Sequence, residues 1–359
     1  KAMSRFWSQT TKNIKPYVPG EQPKDRKYVK LNTNENPYPP SPRVLEVIRS
    51  AADETLRLYP DPSGDALRDT IASSFGLIRE NVYIGNGSDE LLAFCFPAFF
   101  EPEGLPILFA DVTYSFYPVY ARLFRIPYRL VPLDEQFNLS VEGYLQANGG
   151  ILIANPNAPT GMGVPLESIE KILRYNENNV VVLDEAYVDF GGESSVGLIA
   201  RFPNLLVVRT LSKSYSLAGL RVGFALGSKE LIDGIIRVKD SVNSYTVDRL
   251  AQAGAREAIR DDAYFQETKS KIIRTRDRVS SRLENFGFRV LPSQANFLFV
   301  SHPQTPARVL FQKLREQGIL VRFFDKPGID NFLRVSIGTD GEMDLFLEAV
   351  ARICEKPPK

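Results

Sequence analysis

Lys213 is the residue around which chemistry can be organised in this chain. It follows the apolar run 205–208, is flanked by Ser212 and Ser214, and precedes Arg221 by eight residues. A lysine amine condenses with an aldehyde to a Schiff base, and nearby hydroxyls with an arginine hold a phosphate. Those are the separate requirements of pyridoxal phosphate, met in one short segment. An exposed surface lysine is the plainer reading, but it leaves Ser212, Ser214 and Arg221 unexplained.

Three further clusters belong to the same chemistry. Gly85, Asn86, Gly87, Ser88, Asp89 and Glu90 lie between an apolar run and an apolar helix beginning near Glu90. Small residues at a helix start expose backbone N–H groups to an anion. The helix dipole contributes only about 0.3–1 kcal/mol per charge. A cationic partner is therefore needed, and Arg221 is the candidate, since a charge-assisted hydrogen bond adds roughly 1.5–3 kcal/mol. A simple helix cap by Ser88 or Asp89 is the competing reading. Asn155 to Gly161 follow another apolar run with strong turn chemistry, and a structural turn would account for them equally. Asp184 ends a run of buried apolar residues, where a carboxylate needs a positive partner or strong donors. A protonated pyridine nitrogen is such a partner, and Tyr187, three residues on, can reach the ring's phenolic oxygen. Capping of the next helix is the alternative for Asp184.

The elements that must position these residues follow from hydrophobic patterning. Residues 1–45 are polar and proline-rich, which predicts an extended arm. Apolar runs at 81–84, 105–109, 151–154, 180–183, 205–208 and 222–226 alternate with helix-like segments. This predicts a buried, largely parallel sheet with ligands gathered at its C-terminal edge. Residues 230–285 carry helical spacing without a proline; strands are expected at 295–300 and 332–337 with a helix at 307–317 between them. The expected fold class is α/β, with a large domain at 46–245, a smaller α+β domain at 246–359, and residues 1–45 as arm and part of the small domain.

Composition narrows the function. A chain of 359 residues suits two domains, and 43% hydrophobic with 24% charged residues describes an ordinary globular protein. A formal net charge of +1 supplies no general field for nucleic acid or anionic membrane. The longest apolar run, 91–100, is about half of the ~20 residues that span a bilayer, and no signal pattern opens the chain, so cytoplasm is expected. Lys1, Ala2 and Met3 carry no part of the reasoning. Cys95 and Cys354 form no disulfide framework or metal spacing and are expected to be core thiols. Glu90 stands where a Rossmann fingerprint needs its third glycine, and no Gly-Lys dipeptide provides a Walker loop. The single histidine, His302, is expected in a surface turn, which removes a histidine triad or zinc site.

With these clusters in this order, the chain resembles the fold-type I pyridoxal-phosphate aminotransferases, and within them the histidinol-phosphate aminotransferase group. The likeness runs from Leu31-Asn-Thr-Asn-Glu-Asn-Pro37 through Tyr59-Pro-Asp61 to Leu333-Arg-Val-Ser-Ile-Gly-Thr339. It implies the PLP-dependent transferase fold, an amino donor with a 2-oxo acid acceptor, and a homodimer. By this resemblance Lys213 is the Schiff-base lysine, Asp184 the partner of the ring nitrogen, Tyr187 the partner of the ring oxygen, and Tyr114 stacks on the ring. Gly87, Ser88, Asp89, Ser212 and Arg221 hold the phosphate, and Tyr59 reaches the phosphate in the neighbouring subunit. Arg334 resembles the arginine for a substrate carboxylate, Arg322 the arginine for a substrate phosphate, and Asn34 a substrate contact. One departure stands out: Ala158 replaces the asparagine before Pro-Thr-Gly, leaving Asn157 or Asn155 to substitute.

Relatives with the same motifs include aromatic amino-acid aminotransferases, threonine-phosphate decarboxylases and PLP-sensing transcription regulators. The last would need a DNA-binding module, for which the proline-rich arm is too short.

Overall fold

The computed structural model describes residues 4–354. Its strands are β1 (Val29–Lys30), β2 (Val82–Asn86), β3 (Ile107–Ala110), β4 (Tyr128–Val131), β5 (Ile151–Ala154), β6 (Val181–Asp184), β7 (Leu205–Thr210), β8 (Val222–Gly227), β9 (Arg289–Val290), β10 (Phe297–Ser301), β11 (Ile319–Leu320), β12 (Arg322–Phe323) and β13 (Leu333–Ser336). Its helices are α1 (Gln9–Asn13), α2 (Pro42–Ala51), α3 (Asp65–Ser74), α4 (Gly87–Phe99), α5 (Tyr117–Phe124), α6 (Leu166–Tyr175), α7 (Lys229–Val242), α8 (Arg249–Arg260), α9 (Asp262–Asn285), α10 (Ala307–Glu316) and α11 (Asp340–Cys354).

The apolar runs form a seven-stranded sheet in the order β2-β8-β7-β6-β5-β3-β4. Only β8 runs against the others. Every residue of β3, β5, β6, β7 and β8 is buried, as a sheet covered on both faces requires. Strand alternation divides the side chains between two cores. Val181, Leu183, Leu205 and Val207 pack on one face, while Val182, Leu206 and Val208 pack on the other. The same alternation sends Asp184 and Glu185 to opposite sides, and the chemistry depends on it. The edge strand β4, half-exposed and without an apolar run, is a strand that patterning alone does not reveal.

The helical stretch after residue 229 is three helices. Asp248 caps α8 by accepting from the Ala251 N–H, and Asp261 breaks the chain between α8 and α9. Ala251, Ala255 and Ala258 of α8 pack into the core beneath the large sheet, whereas Ile272, Val279 and Leu283 of α9 join the other domain. Small alanines let α8 lie close against α2 and α3, and Asp261 separates it from α9.

The smaller domain is the antiparallel sheet β12-β13-β10-β9 covered by α9, α10 and α11. The N-terminal arm is extended apart from α1, and β1 pairs in parallel with β11, which fastens the arm to this domain. His302 is buried, not in an exposed turn, because its Nδ1 accepts the N–H groups of Gln304 and Thr305. Cys95 is a core thiol, whereas Cys354, at the end of α11, is half-buried. Among the described residues no helix is long and apolar enough to cross a membrane.

Candidate active site

The C-terminal ends of β2, β5, β6 and β7, with the start of the reversed strand β8, meet at one edge of the sheet. A cavity of about 320 Å³ opens there. Ser88, Asp89, Tyr114, Asp184, Tyr187, Ser212, Lys213 and Arg221 line it from the large domain, and Asn34, Arg322 and Arg334 from the arm and the small domain.

At its floor, Asp184 ends β6 and is buried. It accepts hydrogen bonds from the Tyr117 hydroxyl at 2.9 Å and the Ala186 N–H at 3.2 Å, and forms no ion pair among the described residues. Burial pushes its carboxyl up to about 6, against the pull of those donors. Lys213 Nζ donates to the Thr33 carbonyl at 3.3 Å and stands 5.8 Å from the centre of the Tyr187 ring. The Tyr187 hydroxyl accepts from Asn34 Nδ2 at 3.0 Å.

At one end of the cavity, α4 begins at Gly87, three residues before the expected start near Glu90, and its first turn carries no side-chain cap. Gly87 has φ +76°, and a Cβ there would stand 2.5 Å from Arg221 Nη2, so glycine is required for this close approach. Arg221 lies 3.4 Å from Asp89 Oδ2 and 3.5 Å from Ser212 Oγ. The Asp89 carboxylate is also engaged by the Tyr114 hydroxyl at 2.8 Å. A helix N-terminus, a guanidinium and a serine hydroxyl thus converge, as a phosphate requires.

The small domain supplies the positive wall. Arg322 and Arg334 are register partners on the antiparallel pair β12–β13. Neither forms an ion pair among the described residues. Arg322 donates to the Val18 carbonyl at 3.0 Å and Arg334 to the Asn32 carbonyl at 3.1 Å, while the buried Nε of Arg334 has no partner. Burial lowers the Arg334 guanidinium below its ordinary value. A second cavity of about 340 Å³ shares Tyr17, Tyr114, Ala158, Arg322 and Arg334 with the first, leaving room beyond the ring site.

These residues fit pyridoxal phosphate. A buried carboxylate lacking a cation suits a protonated heterocycle, the Gly87–Arg221 corner suits a phosphate, and a lysine amine stands in the same cavity.

Four residues singled out in the sequence stand elsewhere. Asn157 does not line this cavity: its amide donates to the Val112 carbonyl at 2.9 Å and to Thr160 Oγ1, and its oxygen accepts from Thr113. Asn155 is likewise committed to both backbone groups of Val164. Neither replaces the asparagine missing at Ala158; Asn34, arriving from the arm with φ +56°, meets Tyr187 instead. Its side-chain oxygen is taken by Ser336, so Asn34 chiefly orients Tyr187. Tyr59 is 76% exposed, stacked on Tyr245 with centroids 4.4 Å apart and absent from the lining. Ser214 turns away from the cavity and donates to Asp189.

Sequence reasoning missed Tyr117, the donor to Asp184, and Tyr17, Thr33 and Glu35, which bring the arm over the site. Tyr117 was discoverable in principle, one helical turn beyond Tyr114. For Tyr17, within a segment of no fixed period, no local signal exists.

The chain belongs to the family described as aminotransferase class I and II, whose model matches residues 26–350. It is similar to the histidinol-phosphate aminotransferase of Clostridium acetobutylicum, 56% identical over 348 residues, 97% of this chain and 99% of the relative. The enzyme of the same name from Clostridium beijerinckii is 53% identical over 357 residues, 99% of each. Among solved structures, a histidinol-phosphate aminotransferase from Sinorhizobium meliloti, in complex with pyridoxal-5'-phosphate, superposes with a TM-score of 0.88 at 28% identity, covering 98% of both chains. Aspartate aminotransferase from Thermus thermophilus, with maleate, shares the fold at a TM-score of 0.83 and 22% identity.

Proposed function

We propose that the chain is a pyridoxal-phosphate-dependent histidinol-phosphate:2-oxoglutarate aminotransferase of histidine biosynthesis. The observation that carries the substrate is the Arg322–Arg334 register pair, two arginines lining the cavity, neither of them in an ion pair among the described residues. Histidinol phosphate bears a phosphate ester where an amino acid bears its carboxylate, and glutamate bears the carboxylate. Arg334 can take the anion of either substrate, and Arg322 adds the contact that a phosphate needs.

Asp184, Lys213, Tyr187, Tyr114, Ser88, Ser212 and Arg221 are the residues that would hold the cofactor. Pyridoxal phosphate, when bound, supplies an aldehyde for the donor's amine and a heterocycle that draws off electrons. Lys213 serves as the base and acid at the donor's α-carbon, and its position beside Tyr187 and Thr33 confines it to one side of the cavity. Asp184 would pair with the ring nitrogen and keep it protonated. Arg322 and Arg334 orient the donor so that the α-proton faces Lys213.

Tyr59, exposed and outside its own cavity, is assigned to the cofactor phosphate of a second copy in a homodimer. The site of action is the cytoplasm, in keeping with the absence of a membrane-crossing helix among the described residues.

The substrate assignment is tested with Arg322→Ala. KM for histidinol phosphate should rise about 10- to 100-fold, as for loss of a charge-assisted anion contact, while KM for phenylalanine stays within about twofold. Equal losses on both substrates would instead favour an aromatic amino-acid aminotransferase.

A further inference from the structure

On the sheet face opposite Asp184 lies a buried polar cluster that the transamination chemistry leaves unused. Arg209, near the end of β7, has a side chain only 6% exposed. It lies 3.6 Å from Glu185 Oε2, pairs closely with Asp189, and sits over the Phe75 ring at 5.3 Å. Glu185 is fully enclosed, accepting from Ser194 Oγ and the Ser195 N–H, each at 2.6 Å. Asp189 has a second contact: its Oδ2 accepts the Ser214 hydroxyl at 2.6 Å. Ser214 is 2% exposed and directly follows Lys213.

The geometry points to Asp189 as a positioning residue for the reacting amine: its carboxylate bridges Ser214 to Arg209 and so fixes where the Lys213 backbone stands relative to the end of β6. The inference rests on the assignment of Lys213 above. Three features support it. The loop after Lys213 has little regular structure of its own, since Ser216 and Arg221 both have positive φ and only a short turn, Ala218–Leu220, lies between Lys213 and β8. Besides the Leu217 N–H, which donates to the Leu211 carbonyl at 3.1 Å, its anchors are side-chain contacts. From the arm, Asn36 Nδ2 donates to the Lys213 and Ser214 carbonyls at 3.0 and 3.3 Å. From below, Asp189 holds the Ser214 hydroxyl. Asp189 lies in the turn Val188–Phe190, directly after Tyr187, so one carboxylate ties the segment carrying Asp184 and Tyr187 to the segment carrying Lys213. Finally, Asp189 cannot easily relocate, because the buried guanidinium of Arg209 binds its other oxygen. A displacement of about 1 Å in such a group costs up to about 100-fold in rate.

The test uses Ser214→Ala, which deletes one hydroxyl and leaves the Arg209–Asp189–Glu185 ion cluster intact. The variant with cofactor bound should lose about 10- to 100-fold in kcat, with donor KM within about twofold. Stopped-flow absorbance should show capture of pyridoxal phosphate by the cofactor-free full chain slowed by a similar factor. Ser214→Thr, which retains the hydroxyl, should recover both. Unchanged kcat and capture in Ser214→Ala overturn the inference, as does a loss that only tracks the fraction of folded protein measured by circular dichroism. Lys213→Ala separates the two levels. If it still turns over, the Lys213 assignment itself fails; if it is dead and Ser214→Ala is normal, only the positioning role fails.

Discussion

Asp184 and Glu185 are neighbours in sequence, both carboxylates and both buried, yet they have opposite surroundings. Strand alternation at the end of β6 turns Glu185 to the face where Arg209, Ser194 and Ser195 meet its oxygens. Asp184 is turned to the face where, among the described residues, one tyrosine hydroxyl and one N–H are its only hydrogen-bond donors. Burial raises the carboxyl in both cases, but at Glu185 the neighbouring guanidinium works against it. A buried charge with its counter-charge built in is architecture. A buried charge without one implies a counter-charge that arrives from outside the chain, and this contrast supports the proposal that the protonated ring of the cofactor would provide it at Asp184. The same contrast separates Arg209, paired twice, from Arg334, whose Nε is unpartnered.

The comparison breaks most visibly if the two acids are exchanged for neutral isosteres. Asp184→Asn should cost about 100-fold or more in kcat, comparable to losing a preorganised charge contact in a catalytic site, and should weaken cofactor binding. Glu185→Gln, which loses the charge and keeps one of the two acceptor oxygens, should leave kcat within about threefold. Steady-state kinetics at saturating cofactor decide the matter. A near-normal Asp184→Asn, or a Glu185→Gln as damaged as Asp184→Asn, would remove the distinction between the two faces.

Why one face was legible and the other was not follows from the same geometry. Asp184, Tyr187, Lys213, Ser212 and Arg221 are attached to strand ends, and the apolar runs that define those strands predict where the ends fall. Arg334, on the small-domain strand β13, is legible by the same logic. Asn157 was misplaced because a turn sequence reveals a loop but not which way each amide faces; here the Val112 carbonyl and Thr113 captured it. Ser214 was misassigned because adjacent residues in an irregular loop have no fixed periodicity, so Ser212 facing the cavity implied nothing about Ser214. Tyr17 and Thr33 reach the site only because the pairing of β1 with β11 brings the arm back over it, a contact across about 290 residues that no local pattern encodes.

A smaller effect sharpens the structural side of the contrast. Glu185→Ala leaves Arg209 with Asp189 alone and empties a fully buried position. Breaking a buried pair in this way should destabilise the fold by about 3 kcal/mol, read from urea unfolding of the cofactor-free protein. Asp184→Asn in the same measurement at pH 7.5 should be neutral or stabilising, since it removes a buried charge that the cofactor-free fold cannot compensate. If both substitutions destabilise equally, the carboxylate at 184 has an internal partner after all.

The last effect concerns pH, and it is confined to a narrow window. Asp184 has a folded-state value of about 6 against an ordinary 3.8, so between those limits the folded protein retains a proton that the unfolded chain has released. Linkage then makes the folded state lose stability as pH rises through that window. The group imposes no penalty below its unfolded value and its full penalty, on the order of 3 kcal/mol for a shift of this size, above about pH 6. Asp184→Asn cannot titrate, so in cofactor-free protein the wild type and the variant should be equally stable near pH 4 and diverge in favour of the variant by pH 7. Titrating groups remote from Asp184 contribute equally to both curves and cancel; Asp89 and Glu185, whose charges help to raise the Asp184 carboxyl, do not. With pyridoxal phosphate bound, the advantage should reverse, because the ionised carboxylate then has its cation. Parallel curves of Tm against pH for the two cofactor-free proteins would mean that Asp184 is solvated through the cavity, and its partnerless burial would no longer mark the ligand site.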